Sequence, residues 1–181
     1  ANTEFPISFY AATKKSNEVM AHAYSYIYKM NITIVRFFTV YGPYGRPDMS
    51  ILRFIHWIIE EKEVLVLGDG EQMRSFTYID DVIEALLLMM DYKESNTFNI
   101  GSNTTVSLNE VIKTIEKYSG KEAKIKNEER AYKDPDVVRP NLENISNELN
   151  WKPSTNIEAG IEKTVSWYSE NKEFLNDIVY I

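Results

Sequence analysis

The sequence predicts an α/β fold, and three observations predict it. A helical pattern near the start runs directly into a β-branched, aromatic stretch, Ile32 to Phe38. A helix followed by a short apolar strand is half of an α/β unit. Short apolar runs at 64–67, 74–79 and 97–100 then alternate with helical segments. The first of these strands leads into a Gly/Pro-punctuated loop, the place where open α/β sheets put ligands.

The elements follow in chain order. Pro6 and Ser8 set up a helix start, and the pattern predicts a helix to about Lys29, closed by Asn31. Tyr10, Lys14, Asn17, Glu18 and Ala21 share one of its faces. After the 32–38 strand, Val40 to Asp48 reads as loop. Met49 to Glu61 is amphipathic, with Ile51, Phe54, Ile55, Ile58 and Ile59 on its apolar side and Arg53 opposite. Val64–Leu67 is a strand, Gly68–Gly70 a turn, and Arg74–Ile79 a second strand. Asp80 and Asp81 open a helix through Met90, and Thr97–Ile100 is a strand closed by Gly101. Ser107 with Glu110 forms a capping box, and that helix ends at Gly120. Ala123–Lys126 reads as strand, 127–140 as irregular, and 141–149 and 157–168 as closing helices.

The bulk properties exclude several classes. At 181 residues, 44% hydrophobic and 26% charged, the chain is one domain or slightly more, with enough apolar surface for a core. A formal charge of −7 argues against a nucleic-acid footprint. The chain has no Cys, which removes disulfides, thiolate ligands and a Cys nucleophile. His22 and His56 stand apart, without ligand spacing, so no metal site is expected. The run Val82–Met90 is broken by Glu84 and too short to span a bilayer, and no signal peptide is visible. The chain opens on Ala1 and enters a helix within about ten residues, which reads as a piece of something longer, with processing of the N-terminus as the alternative.

The best candidate chemistry is Tyr10 with Lys14, one helical turn apart. A phenol, with an ordinary pKa of about 10, is a poor base near neutrality, and a fixed ammonium favours its ionised form. Such a pair can move a proton to and from a sugar or alcohol hydroxyl. In a chain with 12 Tyr the spacing also arises by chance, and Tyr168 with Lys172 repeats it. Asp80–Asp81 reads best as acids interacting with a helix dipole. Of six arginines, Arg36, Arg46, Arg53 and Arg74 fall at or beside element ends around the 41–48 loop, and guanidinium suits a planar grip on phosphate or carboxylate. No nucleotide P-loop and no Gly-x-Gly-x-x-Gly occurs.

Four segments, in order, resemble the extended short-chain dehydrogenase/reductase family, in particular its nucleotide-sugar epimerases and dehydratases. They are Tyr10-Ala11-Ala12-Thr13-Lys14 through Glu18, then Arg36 through Met49, then Arg74-Ser75-Phe76-Thr77-Tyr78-Ile79-Asp80-Asp81-Val82, and finally Leu149 to Pro153 with Ile157 to Ile161. Ser75 stands where the family has Asp. The loop wording is most similar to UDP-glucuronate 4-epimerases. The resemblance implies the C-terminal portion of a Rossmann-type enzyme with its smaller α/β substrate-binding domain. Residues 1–40 would be a remnant of the NAD-binding domain and 41–181 mainly the UDP-sugar domain, with 80–101 packing back on the Rossmann part.

The implied reaction interconverts UDP-glucuronate and UDP-galacturonate through a 4-keto sugar, with hydride passing to bound NAD and back. Tyr10 and Lys14 would be catalytic and, with Phe37, cofactor-binding. Thr39, Arg46, Arg53, Arg74 and Asp136 would bind substrate. The Asp136 match is loose, since Pro135 replaces the family's Gly. The family's glycine-rich turn would lie before Ala1, so this chain alone is expected to be inactive. Also implied are a cytoplasmic location and a homodimer, for which Tyr24, Tyr26 and Tyr28 could form a face or equally be core. The alternatives are a 4,6-dehydratase or decarboxylase on the same scaffold, or a non-catalytic nucleotide-sugar-binding domain.

Overall fold

A computed structural model describes residues 4–129, 137–175 and 178. Helix α1 spans Phe9–Tyr28; the Ser8 side chain caps it by accepting from Ala11 N–H, and Lys29 closes it in the left-handed conformation. Strand β1, Thr33–Phe37, follows, then β2, Thr39–Tyr41, and α2, Ser50–Ile59. Next come β3 (Glu63–Leu67), β4 (Met73–Arg74), β5 (Phe76–Tyr78), α3 (Ile79–Met90) and β6 (Asn96–Ile100). The remainder is β7 (Val106–Ser107), α4 (Leu108–Ser119), β8 (Lys124–Glu128), β9 (Val137–Val138), α5 (Glu143–Leu149), α6 (Ile157–Glu170) and α7 (Lys172–Leu175).

Among the described residues the strands form four small sheets instead of one large one. β1 pairs with β6, β2 with β5 and β3 with β8, all parallel, while β4 lies between antiparallel β7 and parallel β9. Parallel neighbours need crossovers, and here they are long: β2 and β5, for example, are joined through α2, β3 and β4. The segment expected as one strand, 74–79, is two: Ser75 interrupts it, its buried hydroxyl donating to Ser102 C=O at 3.0 Å and accepting from Ser102 N–H at 2.9 Å. Four elements were not expected: β2, which overlaps the start of the predicted loop, the two-residue strands β7 and β9, and the short helix α7.

Two apolar clusters hold the described residues together. The larger packs α2, β3, α4 and α6 around Phe54, Ile55, Ile58, Ile112, Ile115 and Ile161. The smaller gathers Val82, Ala85, Met89, Phe98, Ile100, Ile145 and Trp151 from α3, β6, α5 and the turn before α6, with Val35 and Val40 against it. Asp81 joins them: it is buried in the first turn of α3 and accepts from Ser154 Oγ (2.9 Å), Thr155 N–H (3.1 Å) and Thr155 Oγ1 (3.0 Å). Asp80 and Asp81 lie in the first turn of α3, where the dipole reading expects them, and the Asp81 hydrogen bonds are tertiary.

Helix α1 has no buried residue. Tyr24, Tyr26 and Tyr28 are exposed and pack into no core among the described residues. What fastens α1 is a fork: Arg36 of β1 donates through Nε and Nη2 to the Glu18 carboxylate at 2.6 and 2.7 Å. These hydrogen bonds hold the Glu18 carboxyl below the usual carboxylate range. No helix among the described residues is long and apolar enough to cross a membrane.

A polar cluster links α2 to α6. Tyr168 is buried, not catalytic in setting, and its hydroxyl lies 2.7 Å from His56 Nδ1. Lys62 Nζ lies 2.9 Å from His56 Nε2, and Lys172 pairs with Glu60 at 3.0 Å. An ammonium can only donate, so Nε2 accepts and the ring proton sits on Nδ1, donating to Tyr168 Oη. Burial first, then Lys62, pushes the His56 pKa below its ordinary value; Lys172 acts the same way and Glu60 opposes them. The unfolded chain therefore binds this proton more readily than the folded one. Stability from this site is fully present above about pH 6.5 and is lost as pH falls from there through the folded pKa. Melting temperatures at pH 7.5 and 5.5 should show the drop, and His56→Gln should flatten it; an unchanged slope would count against this cluster as the source.

Candidate active site

The site is built where β1 and β2 end. Thr39, in β2, is flanked by Phe38, whose N–H donates to Ile100 C=O at 3.0 Å. Tyr41 closes β2 and is buried, its ring edge-on to Phe76 and Tyr78 at 6.3 and 5.6 Å. Burial chiefly, then Tyr78 and Asp81, pushes its phenol well above the ordinary range, in keeping with a packing role. The chain turns at Gly42, whose φ of 138° is open to glycine and whose Cβ position would lie 2.6 Å from Ile79 Cγ2. Gly45 N–H donates to Gly42 C=O at 3.2 Å, and Met49 N–H to Arg46 C=O at 3.1 Å. Tyr44 is left-handed, with φ 57°, and its exposed ring lies 5.1 Å from Trp167 and 6.3 Å from Phe174.

Under this loop lies an open cleft of about 690 Å³, and Tyr10, Phe37, Thr39 and Arg46 all line it. Four of the eight sequence-predicted site residues are therefore brought together. A second cleft, about 590 Å³, separates α1 from β1 and is lined by Tyr10, Lys14, Asn17, Glu18 and Ala21, the predicted shared helix face, with Arg36 and Phe37 opposite. Tyr10 and Phe37 belong to both walls. Lys14 Nζ sits over the Tyr10 ring, 5.3 Å from its centroid, an arrangement the negative face of the ring favours.

The remaining candidates lie elsewhere, and the four arginines near the loop do not converge on one cleft. Arg36 is committed to Glu18. Arg53 is half-buried over Trp57, 4.9 Å from the ring centroid, and desolvation lowers its pKa against the opposing effect of Asp48. Arg74 donates to Met73 C=O at 2.8 Å. Neither Arg53 nor Arg74 lines the cleft that holds Tyr10. Asp136 lies outside the described residues. Arg46 is exposed and grips Asp48 through two hydrogen bonds, Nε to Oδ1 at 3.0 Å and Nη2 to Oδ2 at 2.6 Å. The pairing lowers the Asp48 pKa and raises that of Arg46, which also feels the Tyr10 hydroxyl. Asp48 was not singled out in the sequence; the opposite charges flanking Pro47 were the available signal. Among the described residues no cluster of His, Asp and Glu could hold a metal ion.

Such an arrangement can host a polar, anionic ligand with a hydroxyl beside Tyr10 and a negative group beside Arg46. The family described as GDP-mannose 4,6 dehydratase matches residues 2–164. A UDP-glucuronate 4-epimerase of Thermodesulfobacterium geofontis is 41% identical over 174 residues, spanning 96% of this chain and 54% of that protein. The crystal structure of UDP-glucuronic acid 4-epimerase from Bacillus cereus with UDP-glucuronic acid and NAD superposes with a TM-score of 0.86 at 33% identity, over 92% of this chain and 54% of that one. The dTDP-glucose 4,6-dehydratase of Bacillus anthracis, solved with NAD, gives a TM-score of 0.86 at 28% identity, over 96% and 57%. The chain spans about half the length of the relatives it matches.

Proposed function

Because the chain belongs to the GDP-mannose 4,6-dehydratase family of nucleotide-sugar epimerases and dehydratases, we propose that it is part of an NAD-dependent UDP-glucuronate 4-epimerase. The observation that carries this reading is the single cleft lined by Tyr10, Thr39 and Arg46. Tyr10 would take the proton from the sugar C4 hydroxyl and return it. Lys14 would stabilise the ionised phenol from the second cleft and bond the ribose there. Arg46 would hold the sugar carboxylate, the feature separating a hexuronate from a hexose, and Thr39 would bond the sugar beside it. Arg53, Arg74 and Asp136 are proposed at the diphosphate and nucleoside.

The residues present fit the nicotinamide end of the cofactor. Phe37 offers a half-exposed ring at the end of β1, and Tyr10 and Lys14 face it across the second cleft. NAD, when bound, supplies hydride acceptance and return at C4. No glycine-rich pyrophosphate cradle occurs in these residues, so we expect the 181-residue chain alone to bind UDP weakly, NAD not tightly, and to show no turnover. We read β1 with α1 as the remnant of the cofactor domain. The exposed apolar side of α1 would be covered in the whole protein by its cofactor half and a second copy.

In the full-length enzyme, Arg46→Ala should reduce discrimination between UDP-glucuronate and UDP-glucose by roughly tenfold to a hundredfold, the worth of a charge-assisted bond. An unaltered ratio of kcat/KM for the two sugars would remove Arg46 from carboxylate recognition. A second reading, a 4,6-dehydratase, is favoured by the family match and the Bacillus anthracis relative. NMR of the product separates an epimer from a 4-keto-6-deoxy sugar or a pentose.

A further inference from the structure

A guanidinium carries five N–H donors in two forks, one along the Nε–Nη2 side and one across the Nη1–Nη2 end. Asp48 occupies the side fork of Arg46, with both bonds made, at 3.0 and 2.6 Å. The end fork is not used by this pair. The backbone under the two residues is fixed from several directions. Pro47 sets its own φ and biases Arg46 toward extended backbone. The Arg46 carbonyl accepts from Met49 N–H, and Met49 C=O then accepts from Arg53 N–H, the start of the α2 ladder. Arg46 lines the cleft that contains Tyr10 and Thr39, whereas Asp48 does not. The carboxylate thus grips the arginine without itself lining the cleft.

We propose that Asp48 is a positioning residue for carboxylate recognition, locking Arg46 by its side fork and presenting the end fork to the carboxylate of a hexuronate in the cleft. This rests on the reading of Arg46 given above. The physical gain is preorganisation. An exposed arginine on a loop loses rotamer freedom when it engages a ligand, and that cost is subtracted from affinity. With one fork already occupied, the guanidinium plane is set before the ligand arrives. Asp48 also lies in the field of Arg53. Its carboxyl is held below the usual range by the Arg46 hydrogen bonds, so the lock stays charged through neutral and mildly acidic pH.

The test uses the full-length, NAD-loaded enzyme and calorimetric titration with UDP-glucuronate and UDP-glucose. Asp48→Ala should weaken UDP-glucuronate by roughly fivefold and leave UDP-glucose unchanged, the scale of an exposed ion pair. KM for UDP-glucuronate should rise more than kcat falls, and Asp48→Glu should recover part of the loss. Tighter UDP-glucuronate binding by Asp48→Ala would make Asp48 a competitor for Arg46 and overturn the proposal, as would an equal loss for both sugars. Arg46→Ala run alongside separates the two levels. If it leaves the sugar ratio unchanged, the reading of Arg46 fails and the proposal with it. If it changes the ratio while Asp48→Ala does not, the proposal alone falls.

Discussion

Tyr10→Phe in the full-length enzyme should lower turnover by roughly a thousandfold, the usual contribution of a positioned acid–base group, while NAD stays bound. The expectation follows from how little else the substitution changes. Tyr10 is exposed in the first turn of α1, and its backbone carbonyl accepts from Thr13 Oγ1 at 2.8 Å. Phenylalanine keeps the ring that Lys14 covers. It also keeps the apolar wall shared by the two clefts. Only the hydroxyl leaves, so folding and cofactor content should match the parent. Product formation followed by NMR, with NAD released by denaturation and counted, checks both halves. Turnover within tenfold of the parent would remove Tyr10 from the chemistry.

The largest stability effect is expected at Gly160. This glycine lies inside α6, where glycine normally costs about 1 kcal/mol relative to alanine. The reason it is there is Tyr41: a Cβ on Gly160 would lie 1.9 Å from Tyr41 Oη and 2.7 Å from Cζ. Those atoms belong to a buried ring wedged against Phe76 and Tyr78, so they cannot simply swing out. Overpacking of this kind costs roughly 1–3 kcal/mol. After the gain in helix propensity, Gly160→Ala should still lower the melting temperature by roughly 2–6 °C. Because Tyr41 is the root of the 42–49 loop, the same variant should weaken UDP-sugar binding. Adding Tyr41→Phe removes the nearest atom and should restore part of the loss; a single variant as stable as the parent would show that the close approach is relaxed at no cost.

How much of this was legible in the sequence differs by element. Helices α1, α2, α3, α4 and α6 were legible in the sequence, α1 with its Ser8 start, and Ser107–Glu110 forms the reciprocal capping box its spacing predicted. β2 was missed because Thr39-Val40-Tyr41, followed at once by Gly42-Pro43, look like loop until β5, far along the chain, pairs with them. β7 and β9 are two residues each, too short to show any alternation. Within the candidate site, Tyr10, Phe37, Thr39 and Arg46 could be named from ordered motifs, and one cleft holds them. The burial of Arg53 over Trp57 and the separation of Arg74 from that cleft depend on packing that no local pattern encodes. The capture of Arg36 by Glu18, eighteen residues earlier, is of the same kind.

Strand β8 has a consequence for how copies of this chain meet. It pairs with β3 on one side only and is exposed along its whole length, as Lys-Ile-Lys-Asn-Glu. Lys126 lies 3.8 Å from Glu63 and 3.6 Å from Glu128, so the rim of this sheet carries alternating charge. An open strand edge is a template for another chain, and lysines along it deter that pairing. Charge along this edge therefore disfavours backbone pairing there, and a contact made on this side would have to be one of side chains.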